Sequence, residues 1–287
     1  MFGVSKNRMI RIFMYLKKDL ADPYYQNIAP GLAYYFLLSM IPLFLLMGQL
    51  SGIFSLSMRY LADYIEGYLP QEIAAMILPF LTTEMTKGGL IANAIFLVTT
   101  LYLASRAMYA LIKISDNAYG IPERESRFLL SASFIKQHIK AAVMTFFMLF
   151  IILFSLLIIV VGRNLIDLLL EKFQQISWFH SLDFLWNLLA PPLSLFLFFC
   201  ILLLVYWAMP SRRIPVRRVL PGAVFASAGI FLSSFIYMIY VRFFWDPSLI
   251  YGTLSGIVIL LLWFFIIGLV LELGILLNSA VERSRRP

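Results

Sequence analysis

Cysteine, histidine and charge are all scarce in this chain. Its 287 residues include one cysteine, Cys200, and two histidines, His138 and His180. A single thiol excludes an internal disulfide and a paired-thiol metal site. Two histidines leave little from which to build a zinc or haem centre. Charged residues make up 13% of the chain, where a soluble domain has roughly a quarter. There is no His-x-x-x-His pair, no Gly-x-x-x-x-Gly-Lys phosphate loop and no nucleophile elbow. The sequence therefore offers no catalytic set and calls for no cofactor or metal.

What is present is apolar. Hydrophobic residues reach 62% and the mean hydropathy is +0.88. So few charges cannot cover a folded surface in water, which predicts an all-α polytopic membrane protein. A hydrocarbon core needs about 20 apolar residues per crossing helix. Six runs qualify: Ile28 to Leu50, Leu90 to Ile112, Ala141 to Val161, Leu188 to Met209, Val219 to Val241 and Ile250 to Leu277. They form one six-span domain over residues 1–287. Residues 1–27 mix Arg11, Lys17, Lys18 and Asp19 into apolar sequence, unlike a signal peptide. That segment reads as an amphipathic helix on the membrane surface. In the outer loop, 51–89, Leu56, Tyr60, Leu61, Tyr64, Ile65 and Tyr68 recur at helical spacing before Pro70 opens a second apolar stretch. This predicts a helical pair at the interface.

Basic residues set the orientation. Seventeen of the 23 Lys and Arg lie around Lys6 to Lys18, Lys113 to Lys140, Arg212 to Arg218 and Arg283 to Arg286. Five lie on the opposite side, and Arg106 is inside the second span. Both termini, including a basic tail over 279–287, are expected in the cytoplasm. The net charge of +8 then follows from topology and from attraction to anionic headgroups. Nucleic acid is not needed as a partner.

An ionisable residue inside a bilayer is a functional candidate by default. Arg106 and Glu272 qualify, both in the cytoplasmic half. They are expected either to form a buried ion pair or to make a site for an anionic headgroup, in which Glu272 orients Arg106 or exchanges a proton. Tyr34, Tyr35 and Ser39 flank Pro42 in the first span, where a proline frees a backbone carbonyl, and could line such a cavity. Gly222, Gly252 and Gly256 belong to small-residue patterns typical of close helix contact or a hinge. Asp116, Glu123 and Glu125 sit among Lys113, Arg124 and Arg127, which reads as a solvated charge cluster.

Four ordered motifs resemble the YihY/BrkB family, once labelled ribonuclease BN. They are Ala33-Tyr-Tyr-Phe-Leu-Leu-Ser-Met-Ile-Pro42; Ala104-Ser-Arg-Ala followed by Asp116-Asn-Ala-Tyr-Gly120; Met209-Pro-Ser-Arg-Arg leading to Val219-Leu-Pro-Gly222; and Ile250-Tyr-Gly-Thr-Leu-Ser-Gly256 with Leu262-Trp-Phe and Leu273-Gly274. The family pattern places a glutamate at position 276, where this chain has Leu276. Glu272 lies one turn earlier on the same helical face. The resemblance implies a bacterial inner-membrane protein, for which transport of lipid-like envelope molecules is suggested. Together these features point to a transporter or flippase of an amphipathic anionic envelope molecule. The alternative is a non-transporting scaffold that binds lipids or partner proteins. Membrane lipids are the expected partners, homo-oligomerisation is left open, and RNA hydrolysis lacks the acid–base pair or metal cluster it needs.

Overall fold

The computed structural model describes residues 6–40, 78, 90–121, 135–151, 180–244 and 254–285. Among the described residues the secondary structure is helical and no strand occurs. In chain order the helices are α1 (Lys6–Leu20), α2 (Pro23–Gln26), α3 (28–40), α4 (Leu90–Ala118), α5 (135–151), α6 (His180–Ala208), α7 (Val216–Phe244) and α8 (Leu254–Arg283). Among the described residues each of the six apolar runs contains part or all of one helix, from α3 to α8. Three stretches among the described residues are long and apolar enough to cross a membrane, Leu97–Ala118, Val216–Phe243 and Gly256–Arg283, and Pro192–Ala208 is a shorter apolar helix. The outer-loop pair lies outside the described residues, apart from helical Leu78.

Local chemistry explains several boundaries. Asp22 caps α2, its carboxylate accepting from the Tyr24 N–H at 2.9 Å, and Pro23 takes the first helical position, where no N–H is needed. At the same end of the bundle α4 runs through Ala118, past the Ile112 boundary that hydropathy predicts. Gly120, at φ 66°, then stops it. The Ile121 N–H reaches back to the Asp116 carbonyl and the Gly120 N–H to that of Asn117, both at 2.9 Å. This is a Schellman cap, whose left-handed residue favours glycine. Likewise, α8 continues to Arg283, so the first residues of the expected tail are helical, with Ser279, Ala280, Val281, Glu282 and Ser284 buried.

Packing centres on α8, which lies against α7, α4 and α1, while α7 also lies against α6. The core they enclose includes Leu32, Ile112, Ile114, Met209, Val219 and Leu276. Much of the outward surface is apolar as well: Val98, Phe146, Phe147, Phe231, Leu232, Phe235 and Val258 are exposed. An apolar exterior around an apolar core is stable in lipid and not in water.

Candidate functional site

Arg106 and Glu272 do not form an ion pair in the structure. The Arg106 guanidinium is half-buried on α4 and lies over the ring of Tyr102, one turn earlier, at 5.9 Å from its centroid. Tyr102 is itself exposed, so this side of α4 faces outward. Glu272 faces inward. It is 3% exposed, and its Oε2 is buried without a hydrogen-bond partner. A buried carboxylate oxygen with no donor is costly. A charge pair that local sequence makes plausible is thus absent, with Arg106 on an outward side of α4 and Glu272 on an inward side of α8.

The other expected site residues are spread along α3. Tyr34 is exposed, Tyr35 is half-buried, and their rings meet edge to face at 5.6 Å. Ser39 donates to the Phe36 carbonyl at 3.0 Å, which turns its hydroxyl onto its own helix. Pro42 and Gly252 lie outside the described residues, and Gly256 is buried in α8. Gly222 is at the tightest contact between α7 and α8. A Cβ there would overlap the Gly274 carbonyl oxygen and the Asn278 side chain. The space this leaves lets the Gly222 N–H donate to Asn278 Oδ1 at 2.6 Å.

The most connected polar site is at the ends of α4 and α8, and sequence analysis did not single it out. Asp116, expected in a solvated cluster, is buried. Its carboxylate accepts from the Ser211 N–H at 2.7 Å and from the Ser211 hydroxyl at 2.5 Å. Lys140 donates to the carbonyls of Met209 and Pro210 at 2.6 and 3.1 Å, and burial lowers its pKa against the opposing pull of Asp116. Glu282 accepts from Arg218 at 2.6 Å, with Arg212 3.8 Å away. Ser279 donates to the Ala118 carbonyl, and Arg283 pairs with Asp19 on α1. Tyr119 Oη and Glu282 Oε2 are buried there without partners. Burial, then the field of Glu282, pushes the Tyr119 phenol well above its usual range, with Arg212 opposing. The partners lie tens to hundreds of residues apart in sequence, so charge spacing alone could not reveal them. The one available signal was that Asp116 and Ser211 belong to two motifs of the resemblance.

An apolar helical exterior, an enclosed polar knot and an intramembrane carboxylate define a helical integral membrane protein. The chain belongs to the Virulence factor BrkB family, whose pattern matches residues 18–287. It is 30% identical to the ribonuclease-like protein YfkH of Bacillus subtilis over 273 residues, 91% of each chain. A UPF0761 membrane protein of Coxiella burnetii is 24% identical over 259 residues, 88% of this chain and 86% of its own. One from Idiomarina loihiensis is 32% identical over 93 residues, 32% of each chain. No solved structure matches.

Proposed function

We propose that this protein moves an amphipathic anionic molecule, a lipid or lipid-linked precursor of the envelope, across the bacterial inner membrane. Six spans with both termini in the cytoplasm form the transporting bundle. The observation that carries this reading is Arg106: a guanidinium within a candidate span, half-buried, with no carboxylate partner among the described residues. A permanent charge at that depth is costly unless an anion meets it. Arginine's planar fork suits a phosphate or carboxylate head, while the acyl tails of such a molecule stay in lipid beside the outward side of α4. Tyr34, Tyr35 and Ser39 are the wall residues of this reading. Glu272, with its unpartnered oxygen, is the acid that exchanges a proton as the bundle changes state.

Native mass spectrometry of the purified protein tests the binding step. The parent should retain a phosphate-bearing lipid that an equally folded Arg106→Gln variant loses; equal retention by both would contradict it. Impermeant maleimide tests the topology in a Cys200→Ser background. Cysteine at Thr86 should label from outside, and cysteine at Arg285 should not.

A non-transporting scaffold has one observation in its favour, the polar knot that ties α1, α4, α7 and α8 together at one end. RNA hydrolysis, suggested by the name of YfkH, has less support. Asp19, Asp116 and Glu282 are each engaged by Arg283, Ser211 and Arg218, which leaves them poorly placed as an acid–base set.

A further inference from the structure

The N-terminal helix presents two different sides. Arg8, Ile12, Tyr15, Leu16 and Asp19 share one side at helical spacing, all buried or half-buried, and this side meets α8. The contact combines apolar packing by Leu16 with polar pairs. Asp19 pairs with Arg283, Arg8 donates to Ser284 at 3.3 Å, and the Arg283 guanidinium lies 5.1 Å from the Tyr15 ring centroid. On the second side Met9, Ile10, Phe13 and Met14 are each at least half exposed. Arg11, Lys17 and Lys18 are exposed beside them, and the only acidic residue of α1, Asp19, is buried.

A helix docked on a water-soluble protein turns its apolar side inward. In α1 the inward side holds Leu16 and the clasped charged groups, yet four large apolar side chains, Met9, Ile10, Phe13 and Met14, also face outward. Such a face needs an apolar medium. The clasp fixes α1 to the last turn of a candidate span, which places it beside the membrane. Its uncompensated basic residues select the sign of the surface.

We propose that α1 is an anionic-lipid anchor: Met9, Ile10, Phe13 and Met14 insert between the headgroups of the adjacent leaflet, and Arg11, Lys17 and Lys18 contact acidic lipid. Amphipathic helices with basic flanks bind at this depth, through apolar burial plus attraction to anionic lipid. The proposal does not depend on whether the chain transports anything.

The test uses the full-length Cys200→Ser protein in lipid nanodiscs, with bimane attached at Phe13→Cys or at Arg11→Cys. In nanodiscs containing phosphatidylglycerol, a shallow nitroxide-labelled lipid should quench most of the Phe13→Cys emission, and aqueous iodide should quench little. The Arg11→Cys probe, at the boundary of headgroups and water, should be quenched more by iodide than the Phe13→Cys probe. Quenching of the Phe13→Cys probe by lipid should weaken severalfold in pure phosphatidylcholine. Iodide quenching at Phe13→Cys equal to that at Arg11→Cys would overturn the insertion. Shielding of Phe13→Cys from both quenchers, as a second copy of the chain would produce, would overturn it too. Quenching independent of lipid charge would remove the anionic partner.

Discussion

Asp116 holds Ser211 by two bonds at once, accepting from its backbone N–H at 2.7 Å and from its hydroxyl at 2.5 Å. This fastens the end of α4 to the turn between α6 and α7. Hydrogen bonds to a charged group contribute about 1.5–3 kcal/mol each. Asp116→Ala, which loses both, should therefore destabilise the detergent-solubilised protein by roughly 3–6 kcal/mol. Ser211→Ala keeps the backbone bond and should cost about half as much. Equal effects in thermal unfolding would mean that the backbone bond contributes nothing.

Gly222 and Gly31 should respond in opposite ways to alanine. A Cβ at Gly222 meets the Gly274 carbonyl and Asn278, whereas one at Gly31 meets nothing within 4 Å. Overpacking against backbone that cannot yield costs about 3 kcal/mol, so Gly222→Ala should lower the melting temperature sharply. Gly31→Ala removes glycine's extra chain entropy from a helix and should stabilise by about 0.5–1 kcal/mol. Similar melting temperatures for the two variants would contradict the close approach of α7 to α8.

The positions of the helices were legible in the sequence because an apolar run of membrane length permits little else. Their ends were not. α4 and α8 outrun the hydropathy boundaries at Ile112 and Leu277 because Asp116 and Glu282 are buried rather than solvated. Each pairs with a residue remote in sequence, Asp116 with Ser211 and Glu282 with Arg218. Arg106 and Glu272 were legible as intramembrane ionisable residues. Which way each faces was not, because helix rotation is set by packing all round and not by depth.

Tyr119 predicts a pH dependence. Its phenol is buried without a hydrogen-bond partner and its folded pKa is raised by burial and by Glu282. The stabilising effect of keeping it neutral is fully present below the unfolded value of 10.0, and it is lost as pH rises above that. The loss approaches about 1.4 kcal/mol per pH unit for one such group. Tyr119→Phe removes both the titration and the orphaned hydroxyl. It should match or exceed the parent's melting temperature at pH 7 and fall less steeply above pH 10. Parallel curves across that range would show that the phenol is not held neutral.

The central claim is that Arg106 receives an anionic headgroup, and flux tests it most directly. Proteoliposomes carrying fluorescent phosphatidylglycerol would be challenged with dithionite, for the parent and for Arg106→Lys, which keeps the charge but loses the fork. The parent should expose inner-leaflet probe faster than empty liposomes. Arg106→Lys, folded and inserted to the same extent, should slow that exposure by about tenfold, the equivalent of one good hydrogen bond to a charged group. A parent no faster than empty liposomes, or an Arg106→Lys variant as fast as the parent, would contradict the account.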